Sequence, residues 1–142
     1  MIRASLVIIG DEILSGRTED KNLPYLAKWL GNLGIHLSEV HIVLDNEEDI
    51  IESVNTLRKK YDYVFTTGGI GPTHDDITTD SIAKAFGVET RIDDDALEKM
   101  KEFLDGKELT EPLLKMLHIP EGGELIYSPV TKAPGYKIEN VF

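Results

Sequence analysis

The chain has 142 residues, is 41% hydrophobic, contains no cysteine and carries a formal net charge of −11 at pH 7. That length suits one domain with a real core, and the missing cysteines exclude a disulfide framework and any thiolate metal site. The acidic balance argues against nucleic-acid and anionic-membrane partners. No apolar run approaches the ~20 residues of a membrane span, and Met1-Ile2-Arg3 does not open a signal peptide, so the expected compartment is the cytoplasm.

Residues 4–9 form a short continuous apolar run closed by Gly10, the pattern of a buried strand. Residues 10–18 read as a glycine-bounded loop that carries Asp11, Glu12, Arg17 and hydroxyls just past the strand end. A solvated turn and a ligand loop both fit it, and its place in an open α/β sheet favours the second. Residues 22–33 read as a helix, with Leu23, Leu26, Ala27, Leu30 and Leu33 at helical spacing and Pro24 in the first turn. Gly34 stops it in the left-handed cap position. Trp29 suits core or interface packing.

Residues 35–44 form the second expected strand, with Val40, Ile42 and Leu44 on one face. His36 and His41 are ordinary strand residues, since no partner at metal spacing accompanies them. A helix over residues 47–61 follows, with Ile50, Ile51, Val54 and Leu57 as its apolar stripe and a basic end that suits the macrodipole. Asp45 or Asn46 caps it. Asp45 is therefore a cap or a ligand residue, and the residues alone leave both open.

Residues 62–67 are the third strand, and they feed the stretch Gly68-Gly69-Ile70-Gly71-Pro72-Thr73-His74-Asp75-Asp76-Ile77-Thr78. A short helix over 79–86, an extended piece over 88–92, a helix capped by Asp93 or Asp94 and running to Leu104, and a helical turn or two over 112–118 come next. Strands over 124–127 and 136–142, joined by a proline-rich turn over 129–135, close the chain. Strand, helix, strand, helix, strand, loop, helix is the order of parallel βαβ units. The expected fold is a three-layer α/β/α sandwich around a mostly parallel sheet. Three polar loops would then meet at the carboxyl edge of that sheet.

In the central loop, Gly68, Gly69 and Gly71 permit close backbone approach and positive φ. Amides at residues 70–73 could cradle a phosphate, with Thr78 and Thr79 capping the helix behind. Asp75 and Asp76 have the wrong sign for a phosphate unless a hard cation such as Mg²⁺ bridges them. Neither Walker A nor the G-x-G-x-x-G fingerprint is present. A glycine-rich turn with an N-cap carboxylate remains the plainer alternative.

Thr66-Thr67-Gly68-Gly69-Ile70-Gly71 followed by Asp76-Ile77-Thr78 closely resembles the signature of the MoaB/Mog molybdopterin-binding domain. The Gly-Pro-Thr-x-Asp-Asp form resembles the branch containing the N-terminal domain of competence/damage-inducible protein A (CinA), and also the related domain of some eukaryotic FAD synthases. Gly10-Asp11-Glu12-Ile13-Leu14-Ser15-Gly16, with Thr18, Asn22 and Leu26, is similar to that branch's opening. Ala133-Pro134-Gly135-Tyr136 with Glu139-Asn140 is similar to a later stretch.

The resemblance implies functional roles for Asp76 and Asp45. It makes Asp11, Glu12, Asp75 and Asp76 candidate metal ligands. Gly10, Gly68, Gly69, Gly71, Thr67, Thr73 and Thr78 become candidates for holding phosphate, and Arg17, Lys21 or Asn22 for reading the anionic ligand. The CinA-like branch implies a Mg²⁺-type, metal-dependent hydrolase of pyrophosphate-containing nucleotides such as ADP-ribose or FAD. The alternatives are molybdopterin binding or adenylylation in cofactor synthesis, and a non-catalytic ligand-binding domain. MoaB/Mog-type domains are commonly homo-oligomeric, and Tyr25, Trp29 or the last strand could form the interface. Family members continue from Glu-Asn-Val-Phe into a Leu-Pro-Gly-x-Pro loop. The expectation is thus a single domain over residues 1–142 that stops short of its pocket-closing loop, with no trace of the CinA deamidase domain.

Overall fold

The structure, a computed structural model, describes residues 1–127 and 134–142. In chain order the elements are β1 (Ile2–Ile9), α1 (Asp11–Leu14), α2 (Asn22–Asn32), β2 (Ile35–Val43), α3 (Glu47–Lys60), β3 (Tyr63–Thr67) and α4 (Thr78–Ala85). They are followed by β4 (Thr90–Ile92), α5 (Asp94–Leu104), α6 (Glu111–Lys115), β5 (His118–Pro120), β6 (Glu124–Ile126) and β7 (Gly135–Lys137). The expected proline-rich turn falls mostly on residues 128–133, outside the described residues.

A parallel sheet in the order β2-β1-β3 is the centre of the fold, as the βαβ pattern predicts. β1 lies between two neighbours, and its residues from Ala4 to Ile9 are all buried. This accounts for its continuous apolar run: both faces are covered. Val7 and Ile9 point to the face where Ile50, Val54 and Leu57 of α3 pack, together with Val64 and Ile82. By strand alternation Leu6 and Ile8 point the other way, to the side where α2 buries Leu30. β2 is an edge strand and is only half-buried along its length.

The helices follow local rules. The Asn46 side chain accepts a hydrogen bond from the Asp49 amide at 3.2 Å, so Asn46 rather than Asp45 caps α3. α3 begins with Glu47, Glu48 and Asp49 and ends with Arg58, Lys59 and Lys60, the charge order its dipole favours. Asp93 caps α5 by accepting from the Asp95 and Ala96 amides.

Four sequence expectations are corrected. Residues 10–18 are not all loop: Asp11–Leu14 closes a helical turn through the Ser15 amide to the Asp11 carbonyl at 2.9 Å. The helical segment near 112–118 ends at Lys115, and His118–Pro120 instead pairs antiparallel with β4. The last strand is not continuous over 136–142. It breaks where Glu139 takes a φ of 49°, and the Asn140 side chain donates to the carbonyls of Arg58 and Tyr61, each at 3.0 Å. Residues 140–142 then run parallel to β3, exchanging backbone hydrogen bonds with Val64 and Thr66. The fourth correction concerns Thr78. It does not cap α4 but is its first residue, behind Ile77.

A second, smaller core lies beside the sheet, where Ala96 and Met100 of α5 meet Leu117. β5 joins this lobe to the rest of the fold by packing against α4 and placing Ile119 in the main core, and α6 then forms part of one wall of the site described next.

Candidate functional site

The three polar loops do converge. Gly10 leaves β1 with its amide donating to the Val43 carbonyl at 3.0 Å, which ties the ends of β1 and β2 together. Asp11 and Asp45 then exchange hydrogen bonds. The Asp11 amide donates to the Asp45 carboxylate at 3.1 Å, and the Asp45 amide donates to the Asp11 carboxylate at 2.8 Å. Each carboxylate thus keeps capacity for a further partner. A Cβ at Gly10 would lie 2.6 Å from the Glu12 carboxylate, so the missing side chain there makes room for Glu12.

The central loop folds back on the sheet. Gly68 has φ 90°, and a Cβ there would meet the Ile9 carbonyl oxygen at 2.0 Å. Gly69 has φ 66°, and its Cβ would meet the Thr78 hydroxyl at 2.2 Å. The double glycine is required because chain packs on chain, whatever it also allows a ligand to do. Buried Thr78 fastens the loop: its hydroxyl donates to the Gly68 carbonyl at 2.8 Å and its amide to the Gly69 carbonyl at 3.0 Å.

Asp76 is held inside this loop. Its carboxylate accepts from the Thr73 amide at 2.9 Å and the Thr73 hydroxyl at 2.8 Å. Partial burial alone would raise its pKa. The donors from Thr73 and Gly71 and the nearby Lys115 ammonium outweigh that and hold it below the ordinary aspartate range. Asp45 goes the opposite way. Burial, joined by the charges of Asp11, Glu12 and Asp76, raises its pKa even against the hydrogen bond from Asp11. Two aspartates on one site are therefore shifted in opposite directions.

Two cavities meet at Asp76. One, of about 440 Å³, is lined by Asp11, Glu12, Arg17, Asp45, Gly69, His74, Asp75, Asp76 and Ile77. The other, of about 380 Å³, shares Gly69 and Asp76 and continues past Ile70, Gly71, Leu114, Met116, Tyr136 and Phe142, with Lys115 and His118 on its wall. Buried Tyr136 donates to the Thr79 hydroxyl at 3.1 Å, and burial pushes its phenol up to about 12. Phe142 stacks on Phe65 with ring centres 5.1 Å apart.

Most expected site residues are therefore brought together, and others are not. Asp11, Glu12, Arg17, Asp45, Asp75 and Asp76 share the acidic cavity. Gly71 faces the second one. Thr73 and Thr78 spend their hydrogen bonds within the loop. Among the described residues, Thr67, Gly68, Lys21 and Asn22 line neither cavity. No three carboxylate or histidine side chains among the described residues come close enough to hold one ion by themselves. A divalent cation here would have at most two of these side chains at once and would need water or a bound phosphate for its remaining ligands. The sequence reading missed Lys115, His118, Tyr136 and Phe142 at the site.

Against known proteins, the family model described as "Probable molybdopterin binding domain" matches residues 5–141. The chain belongs to that family. It is 39% identical over 139 residues to a protein from Aeropyrum pernix, covering 96% of this chain and 52% of the relative. It is 36% identical over 141 residues to a CinA-like protein from Kosmotoga olearia, covering 98% of this chain and 34% of that protein. The chain thus spans about half or a third of the length of these relatives. Among solved structures it resembles CinA from Thermoplasma acidophilum, whose function is given as unknown. That likeness has a TM-score of 0.87 at 36% identity and covers 94% of this chain and 79% of the other. MoaB from Pyrococcus furiosus shares the fold, with a TM-score of 0.58 at 22% identity, covering 91% and 76%. The family domain is thus CinA-like and MoaB/Mog-like. Among the described residues no helix is long and apolar enough to cross a membrane.

Proposed function

We propose that this domain binds a pyrophosphate-containing nucleotide of the ADP-ribose or FAD type together with a divalent cation, and hydrolyses the pyrophosphate. The observation that carries this reading is the meeting of an acidic cavity and a ring-lined cavity at one carboxylate, Asp76. The ring-lined side offers Phe142, Tyr136 and Met116 to a flat heteroaromatic group. The acidic side offers one or two of Asp76, Asp75, Asp11 and Glu12 to the cation, and Arg17 to a phosphate oxygen. When bound, an ion such as Mg²⁺ would neutralise phosphate charge and favour attack by water.

The protein's own part is to hold and to accept protons. Asp76 stays ionised because Thr73, Gly71 and Lys115 favour its charged form. Asp45, with its raised proton affinity, is the candidate base for the attacking water. Water oxygen bonds to phosphorus as the bridging oxygen leaves with the other phosphate, giving AMP and ribose phosphate from ADP-ribose, or AMP and FMN from FAD.

The test is AMP release from ADP-ribose and from FAD, with Mg²⁺ and with chelator, by the wild type and by Asp76→Ala. Magnesium-dependent AMP release that Asp76→Ala abolishes is the expected result. Equal AMP release by the two proteins would overturn the assignment of Asp76. The family model favours a second ligand, molybdopterin, and saturable pterin binding with no AMP release would support it. A non-catalytic domain would bind nucleotide with no release. Self-association is supported by Tyr25, Trp29 and Leu33, which stand exposed at helical spacing along α2 and its end. Sedimentation of Trp29→Glu against wild type tests it.

A further inference from the structure

The glycine loop has an internal fastening and an external one. Internally, Thr73 and Asp76 bond to each other twice through the Asp76 carboxylate, and the Asp76 amide returns to the Thr73 carbonyl at 3.2 Å. This closes a four-residue turn around Asp75, whose side chain is paired only loosely with exposed His74 at 3.4 Å. With Thr73, His74 and Asp75 exposed, this turn has little burial to fix its position. The external fastening comes from far away in the chain. The Lys115 ammonium, on the last residue of α6, donates to the carbonyls of both Thr73 and Asp76, the second at 2.7 Å. Among the described residues, hydrogen bonds reaching residues 70–76 from outside the loop come from Lys115.

We propose that Lys115 is a positioning residue: by clamping both ends of the Thr73–Asp76 turn it fixes where the Asp76 carboxylate stands between the two cavities. The physical case rests on what each contact does. Two carbonyls on one ammonium set the spacing of the turn's ends, and both bonds are charge-assisted. Lys115 itself is placed well. α6 is anchored in the smaller core through Leu114, beside Leu117. The side chain is half-buried along the wall of the ring-lined cavity, so its charge is screened less than that of a surface lysine. Lys115 therefore couples the α5–α6 lobe to the acidic cavity, although it does not line that cavity itself. Its significance for catalysis rests on the function proposed above; its clamping of the turn does not.

The experiment compares wild type, Lys115→Met and Lys115→Arg. Amide hydrogen exchange is read at Gly71, Thr73 and Asp76 in the absence of any ligand. Lys115→Met should exchange at these amides roughly tenfold faster or more, with the sheet amides unchanged. Lys115→Arg, which keeps a charged donor, should recover much of the protection. Mn²⁺ affinity, followed by titration, should fall roughly tenfold in Lys115→Met and recover in Lys115→Arg, which a general loss of packing would not do. If Lys115→Met does not fold, Lys115→Gln supplies the same comparison. Exchange and Mn²⁺ affinity in Lys115→Met within twofold of wild type would overturn the proposal. The exchange arm also separates the two ideas: a wild type that releases no AMP defeats the hydrolase reading, while faster exchange in Lys115→Met would still support the clamp.

Discussion

The two cavities beside Asp76 share one wall and differ in the other. The acidic one takes its residues from three strand ends, β1, β2 and β3, and from the loops that follow directly. The ring-lined one shares the end of β3 and its glycine loop but takes its other wall from α6, β5, β7 and Phe142, spread over the second half of the chain. The difference shows what a sheet edge does for a site. Parallel strands bring their carboxyl ends together automatically, so short motifs at those ends must meet. A wall made by a separate lobe meets the site only if that lobe packs in one particular way. Here the smaller core of Ala96, Met100 and Leu117 holds the lobe together, and Ile119 of β5 packs it into the main core.

The largest effect is expected where the cavities meet. Asp76→Ala removes the carboxylate common to both and leaves the Thr73 amide and hydroxyl without their acceptor. AMP release should fall about a hundredfold or more. If it fell only slightly while Asp45→Ala abolished release, the acidic cavity would not need its shared wall, and the comparison would break.

Gly68→Ala comes next, and its effect is on folding. The added methyl would meet the Ile9 carbonyl at 2.0 Å with φ at 90°. Strain and overpacking together should cost about 3 kcal/mol or more, measured by denaturant unfolding. Gly71→Ala provides the contrast. Gly71 is not at positive φ, and the obstacle there is the Asp76 carboxylate at 2.7 Å. It should fold nearly as well as wild type but lose metal affinity.

Phe142→Ala sharpens the comparison from the ring-lined side. It removes the stacking on Phe65 and the edge contact with Tyr63. A stability loss of about 1–2 kcal/mol is expected. In kinetics KM should rise while kcat stays close to wild type, because the ring subsite contributes binding rather than charge stabilisation. A fall in kcat with KM unchanged would mean that Phe142 does not line a binding subsite.

These contrasts also explain what was legible in the sequence. The order of strands and helices, the parallel sheet and the gathering of Asp11, Glu12, Asp45 and Asp76 follow from local patterns plus the rule for strand ends. The double glycine was legible as a tight turn, yet its cause, contact with Ile9 and Thr78, was not. Lys115 gave no local signal at all, since its partners lie 42 and 39 residues away. The same holds for the break at Glu139, which depends on Asn140 reaching the end of α3. Long-range packing decided each of these, and a single sequence does not display it.

The smallest expected effect separates the two aspartates. The Asp76 pKa lies below its unfolded value, so its ionisation contributes stability at neutral pH. That contribution is lost as pH falls through the lowered value. The Asp45 pKa lies above its unfolded value, mainly through burial. Its ionised form therefore costs stability, and the cost disappears as pH falls below the ordinary aspartate value, where the group is protonated both folded and unfolded. Asp45→Asn keeps an acceptor for the Asp11 amide and removes the charge. With chelator present, it should raise Tm at pH 7 by about a degree or two, and the gain should shrink toward zero near pH 3. Asp76→Asn should do the reverse, lowering Tm at pH 7 and converging on wild type in acid. If both variants shifted Tm in the same direction at pH 7, the two carboxylates would share one environment, and their division into an ion holder and a proton acceptor would fail.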